Sequence, residues 1–377
     1  MTVQSFAMPN IAVTNPTVFE NLKGVHLNVY LVSHVFADQK FMAIFAMLFG
    51  ASIIMLSNKA QKEQIRSGDL QKKRFFWLLI FGLLHAYFFW FGDLLVAYAI
   101  CGFFMFGFRR RKTKALFRIG IVFLAIGSAI SLLIGYSVAF WEPGELQSNI
   151  QSYWQPSSKS ISEEIEYYRG SWERQILYRA KQAFDVQTRV FITETFWRVS
   201  GLILIGMAFY KKRVLIAKQS KKYYIKMMFF GLSIGLPMVA AETLLNFTTD
   251  WKFETSYFYF SQLNYWGSVL MAIGYTGVIM YLMKLDITGF LSKALSAVGQ
   301  MSLTNYIMQS TICTYIFYGH GLALFGDLDR AAQGFAVLMI WVFQMVFSSI
   351  WMNYFRYGPL EWLWRSLTYA KSQPFVK

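Results

Sequence analysis

The chain has 377 residues, of which 56% are hydrophobic, 19% aromatic and only 15% charged. Soluble globular proteins carry about 25% charged residues, so this composition excludes an ordinary soluble domain. The net charge of +16 does not point to nucleic acid, because the basic residues punctuate long apolar runs and form no continuous face or stripe.

A membrane-crossing helix needs about 20 predominantly apolar residues. That criterion predicts an all-α polytopic bundle of nine spans, near 39–57, 75–91, 94–108, 117–140, 196–210, 227–246, 262–283, 296–318 and 333–352. The second and third are short and divided only by Phe91-Gly92-Asp93, which reads as a tight helical hairpin. The first forty residues lack a basic start followed by a short apolar core, so no cleavable signal peptide is expected.

Orientation follows from lysine and arginine. The clusters 58–74, 109–118, 211–226, 284–293 and 353–377 fall on one side of a nine-span bundle and hold 25 of the 36 basic residues but only 4 of the 20 acids. This side is assigned to the cytoplasm of an inner (plasma) membrane. The chain then divides into an outer segment over 1–38, the bundle, an amphipathic outer segment over 141–195 that starts at Trp141-Glu142-Pro143-Gly144, and a cytoplasmic tail over 353–377. In the tail, Pro359 suits a first helical turn. Trp362 and Trp364 suit the interface belt and Arg365 suits lipid phosphates; docking on the inner end of the bundle is the alternative.

Polar groups at membrane depth need a partner or a task. His85 lies eleven residues past Arg74, about 16 Å at 1.5 Å per residue, and Asp93 lies at the hairpin turn. A buried imidazole can act as general acid or base, with a carboxylate fixing its tautomer, or it can simply hydrogen-bond a neighbouring helix. Tyr98, in the same hairpin, is a further substrate-binding candidate. In 296–318, Ser302, Asn305 and Gln309 are spaced three and four apart and share a face; they either line a polar cavity or join helices. Glu242 and Asn246 form a smaller patch, and Glu194 and Arg198 are expected to pair at the interface. His26, His34, His320 and Asp327 read as surface groups. Cys101 and Cys313 read as buried thiols, and no Cys/His cluster suggests a metal. There is no phosphate-binding loop, GxSxG elbow or HExxH, and no internal pair of halves of the kind many transporters show.

Three stretches carry a resemblance: KFMAIFAMLFG (40–50), GLLHAYFFWFGDLLVAYAICG (82–102), and the region from GQMSLTNYIMQS (299–310) through FYGHGLALFG to GPLEWLWRSLTY (358–369). In these the chain resembles the YeiB-like bacterial membrane proteins that share the domain of unknown function 418. Members usually open with a helix containing an LDxLRG pattern, which this sequence lacks; restoring it makes ten spans. The family is similar at fold level to transmembrane acyltransferases, in which an intramembrane histidine serves as base. The resemblance therefore implies transfer of an acyl group from cytoplasmic acyl-CoA to a small-molecule or glycan acceptor at the outer face. It also implies His85 and Asp93 as catalytic residues, and Ser302, Asn305, Gln309 and Tyr98 as substrate-binding ones. No permanently bound cofactor or metal is expected, and the partner is the lipid bilayer. A transporter or exporter of a small solute is the alternative from another class, and the oligomeric state stays open.

Overall fold

A computed structural model describes residues 2–19, 22–138, 140–141, 144–285 and 289–377. Glu142 and Pro143, at the start of the expected outer segment, lie outside the described residues. Among the described residues the chain is helical, apart from one antiparallel bridge between Phe355 and Val376.

In chain order the helices are α1 (Thr2–Ala7), α2 (Ile11–Thr14), α3 (Gly24–Phe36), α4 (Lys40–Lys62), α5 (Ser67–Phe88), α6 (Leu95–Met105), α7 (Thr113–Val138), α8 (Glu145–Trp154) and α9 (Ser158–Arg169). Then come α10 (Trp172–Asp185), α11 (Phe196–Lys211), α12 (Lys221–Thr248), α13 (Ser261–Lys284), α14 (Phe290–Gln300), α15 (Ser302–Phe317), α16 (Arg330–Tyr354) and α17 (Pro359–Tyr369). A 3₁₀ turn, Phe106–Arg110, extends α6. A π-helical stretch, Val186–Thr195, joins α10 to α11 without a break, and another precedes α13.

Six stretches among the described residues are long and apolar enough to cross a membrane: Gly24–Lys62, Thr113–Val138, Trp172–Lys211, Lys221–Thr248, Glu254–Lys284 and Arg330–Tyr354. The chain is thus a helical membrane protein, but its elements differ from the expected spans in four places. The first stretch begins at Gly24, well inside the segment expected before the bundle, and bends at Gln39, whose φ is 61°. The last part of 141–195 is continuous helix with α11 and no loop. The span expected at 296–318 is broken at Met301 into α14 and α15. Finally, the tail is docked and does not lie free on a surface. Glu361 accepts hydrogen bonds from the first amides of α15 (Leu303 N, 2.5 Å; Thr304 N, 3.0 Å), and Trp364 Nε1 donates to Arg74 O of α5 at 3.0 Å. Arg74 is itself inside the protein, bonded to Ser52 Oγ at 2.8 Å, with its guanidinium over the rings of Phe49 and Trp364.

The centre of the bundle is α11. Every residue from Arg198 to Phe209 is buried, because this helix is apolar around most of its circumference and is enclosed by α4, α6 and α7. Close approach depends on two glycines: a Cβ at Gly206 would overlap the backbone of Met47, and one at Gly50 would overlap that of Ile203. In an apolar solvent such backbone proximity replaces the hydrophobic drive that water supplies.

The short helices form a cap. Phe6 of α1 stacks on Trp90 with centroids 4.9 Å apart, and Asn15 Nδ2 donates to Trp154 O at 3.2 Å. Asn10 N donates to Glu164 Oε1 of α9 at 3.1 Å, and Arg169 pairs with Asp327, tying α9 to the loop before α16.

Two outcomes follow. Gly206→Val has no room against α4 and is expected to abolish monodisperse protein on detergent extraction, whereas Gly107→Ala, with nothing within 4 Å, is expected to behave as wild type in size-exclusion chromatography. Burial pushes the Glu164 carboxyl up to about 7 against an ordinary 4.5, partly offset by the Asn10 amide. An acid whose folded pKa is raised stabilises the fold fully below its unfolded pKa, and the contribution is lost as pH rises through the folded value. The thermal midpoint is therefore expected to fall as pH rises from about 4.5 to 7, and Glu164→Gln is expected to flatten that slope.

Candidate active site

His85 occupies the last turn of α5, and its own carbonyl ends the helix by accepting from both Phe89 N and Trp90 N at 2.9 Å. The two carbonyls left over there, Tyr87 O and Phe89 O, accept from Arg179 of α10 at 3.0 Å each. A cation at a helix C-terminus satisfies orphan acceptors and opposes the negative end of the helix dipole. His85 is thereby held at a fixed height. α5 starts at Ser67, seven residues before the Arg74 from which the depth of His85 is counted.

Eight residues past His85 the chain has turned, and Asp93 stands before α6. Its Oδ2 accepts from Val96 N at 2.8 Å, as a carboxylate at a helix N-terminus should. Its Oδ1 lies 2.7 Å from His85 Nδ1 and accepts from Tyr306 Oη at 3.4 Å. Room for the carboxylate comes from Gly82, where a Cβ would crowd Val96 N and Asp93 Oδ2 at 2.6 and 3.0 Å. The two residues expected to act together are therefore in direct contact, and both side chains are 1% exposed.

The other imidazole nitrogen completes the arrangement. His85 Nε2 lies 2.8 Å from Ser310 Oγ on α15. With Asp93 accepting from Nδ1–H, Nε2 carries the lone pair and Ser310 donates to it. Ser310 is 3% exposed and is also 3.3 Å from Tyr306 O one turn earlier. Tyr306 packs its ring 4.9 Å from the imidazole and accepts from Leu94 N at 3.2 Å. A hydroxyl, an imidazole and a carboxylate in this order and at these distances have the geometry of an activated nucleophile with its base and the group that orients the base.

The remaining expected site residues are elsewhere. Asn305 Nδ2 donates to Val298 O (3.1 Å) and Ser348 Oγ (3.0 Å), and Asn305 O accepts from Gln344 Nε2 (2.8 Å). Asn305 joins α14, α15 and α16, and at 100° per residue it lies about 140° around α15 from Ser310. Ser302 sits at the first turn of α15, two turns from Ser310, and Gln309 is half-buried next to it in sequence. Tyr98 stacks on Phe49 at 5.5 Å, with its hydroxyl 3.4 Å from Met42 O in the α4–α6 interface.

A second polar cluster gathers at the end of the bundle opposite Arg109–Lys112. His34 is no surface residue: its side chain is 13% exposed, and its nitrogens lie 2.7 Å from Glu242 and 3.4 Å from Asp38. The expected Glu242–Asn246 patch is present, with Asn246 Nδ2 donating to Glu242 Oε1 at 2.7 Å. Lys40 is fully buried and donates to His34 O and Asn264 Oδ1. Arg198 makes no interfacial pair. It is 1% exposed and turns to α13, donating to Tyr265 O (3.1 Å) and Ser268 Oγ (2.8 Å). Among the described residues no group of three or more His, Cys, Asp or Glu is placed to hold a metal ion.

Residues 209–371 match the family described as "Protein of unknown function (DUF418)". The chain is 28% identical to the uncharacterized protein YeiB of Escherichia coli K12, over all of this chain and 94% of that protein. It is 30% identical to the uncharacterized protein YxaH of Bacillus subtilis 168, over 91% of this chain and 82% of that protein. No solved structure matches it. The identity to YxaH over most of both chains, together with the matched C-terminal half, places the protein in the YeiB-like DUF418 family.

Proposed function

We propose that the protein is a transmembrane acyltransferase in which Ser310 carries the acyl group. The observation behind this reading is His85, set between Asp93 Oδ1 at 2.7 Å and Ser310 Oγ at 2.8 Å. His85 takes the Ser310 proton as Oγ attacks the thioester carbonyl of an acyl-CoA, and Asp93 stabilises the imidazolium. The proton then passes to the leaving thiolate. In the second half, His85 takes a proton from the hydroxyl or amine of the acceptor as it attacks the acyl-serine carbonyl, and returns it to Ser310 Oγ as the ester bond breaks, which restores the free serine. Trp90 Nε1 is buried without a hydrogen-bond partner, its ring centroid 6.4 Å from that of His85. It is the donor we assign to the oxygen that becomes negative, in place of Asn305 and Gln309.

The donor enters in this reading from the basic end. There Arg109, Arg110 and Lys211 line a cleft of about 480 Å³ together with Asn58 and Gln61, a setting suited to phosphates. The proposal includes nine spans in a bacterial inner membrane, with that end cytoplasmic and residues 141–195 on the outer side. α5, α6 and α14–α15 supply the spans beyond the six long ones.

Purified protein incubated with acetyl-CoA is expected to gain the mass of one acyl group at Ser310 and to release CoA. Ser310→Ala and His85→Ala are expected to lose about 10²–10⁴-fold in CoA release, and Trp90→Phe about 10²-fold, all with wild-type elution profiles. A folded Ser310→Ala variant with full activity would overturn the reading. Topology is checked separately: cysteines placed at Ser158 and Ser220 are expected to label from opposite sides of intact cells, Ser158 from outside, and same-side labelling would refute the orientation.

A further inference from the structure

The cluster around His34 encloses a cavity that the acyl-transfer reading does not use. Its volume is about 190 Å³, where a single water needs about 10–15 Å³. The wall comes from the break before α4, the end of α7, the π-helical run before α11, the last turns of α12 and the start of α13. The wall is mainly acidic. Asp38, Glu194 and Glu242 face it and no lysine or arginine does; His34, which also lines it, lies against Glu242 and Asp38, so Glu194 is the carboxylate that no histidine meets. The two buried cations nearby are turned away: Lys40 is committed to His34 O and Asn264, and Arg198 to Tyr265 O and Ser268. They offset part of the negative charge of the wall without lining it, although Arg198 Nε itself has no hydrogen-bond partner.

Two further observations concern the ligand. Asn246, 1% exposed, lines the cavity, and its Oδ1 has no hydrogen-bond partner; Ser256 Oγ, in a side chain 5% exposed, is likewise unpartnered. A buried acceptor left unmatched is costly, and a ligand rich in N–H donors would satisfy it. Trp154 and Trp251 add aromatic walls, which attract a cation through the ring quadrupole. The lining also carries a donor without a partner, Trp251 Nε1, but the carboxylates, the orphan amide oxygen and the aromatic faces together favour positive charge carried on N–H over an anion.

We infer that this cavity binds a small organic cation through a primary ammonium group, supplied either as a free amine or as the amine of a lipid headgroup. Glu194 takes its charge, and Asn246 Oδ1 and Ser256 Oγ accept from it. The inference stands independently of catalysis at Ser310.

The test is thermal unfolding of the purified full chain in detergent, titrated with ethanolamine. Ethane-1,2-diol serves as the neutral analogue, choline as the cation without N–H donors, and sodium chloride as the ionic control. Ethanolamine is expected to raise the midpoint saturably and the three comparisons are not. Glu194→Gln and Asn246→Ala are expected to weaken its apparent affinity about tenfold, as for loss of a charge-assisted hydrogen bond. Glu194→Gln preserves shape and carries the test if Asn246→Ala does not fold. If soluble ethanolamine is silent but nanodiscs of phosphatidylethanolamine stabilise the wild type over Glu194→Gln, and phosphatidylcholine does not, the site takes the lipid amine. Equal responses to ethanolamine and ethane-1,2-diol, a larger response to choline, or no amine-specific stabilisation in either detergent or nanodiscs would overturn the inference.

Discussion

Inside an apolar slab, a polar group has no water to turn to and must find its partner within the chain. Most of what is distinctive in this bundle follows from that constraint. Arg179 spends its guanidinium on the frayed end of α5, Lys40 its ammonium on Asn264 of α13 as well as the kink that begins α4, and Glu361 its carboxylate on the open amides of α15. Each joins two elements distant in sequence, so the polar contacts set the register between helices whose apolar surfaces alone would let them slide. His85, Asp93 and Ser310 belong to the same set of contacts but differ in kind. Their groups can exchange a proton, and a contact that fixes α5 against α15 can therefore also do chemistry.

The two polar centres are built differently. Around His85 the contacts are short, linear and closed, with Tyr306 and Gly82 fixing the positions of imidazole and carboxylate. Around His34 they line a space and leave acceptors open. α11 lies between the elements that carry the two centres, buried along most of its length and held to α4 by backbone contact at Gly50 and Gly206. Its continuity with α10 joins the cap, which clamps the end of α5, to the core of the bundle. Through Arg179 the cap thus touches the helix end that carries His85.

Much of the architecture was legible in the residue pattern. Apolar runs located α7, α12, α13 and α16, and the Phe91-Gly92-Asp93 turn located the hairpin. The pairing of His85 with Asp93 rested on the need of a buried imidazole for a partner. Ser310 was missed because serine is common in membrane helices and its meaning comes from α5, which only the fold brings alongside. The available sign was that Tyr306 and Ser310 repeat the four-residue spacing of Asn305 and Gln309 one position further on, so that α15 carries two polar stripes. The more polar stripe drew attention, and its Asn305 turned out to join helices. His34 was misread because the first helical stretch starts at Gly24, in a sequence whose local hydropathy does not reveal a kinked continuation. The break at Met301 and the docked tail share a cause: Glu361 satisfies the first turn of α15 from 57 residues away, and no local pattern reports such a cap.

That cap bears on how the protein is made. Ribosomes deliver α15 to the membrane before α17 exists, so the amides of Leu303 and Thr304 are inserted without the carboxylate that later holds them. The helix bearing Ser310 therefore reaches its final height only after the segment containing Glu361 has been synthesised and folded back. Until then a nascent chain presents an unfinished helix end. A chain that stops short of α17 leaves the amides of Leu303 and Thr304 without the Glu361 carboxylate.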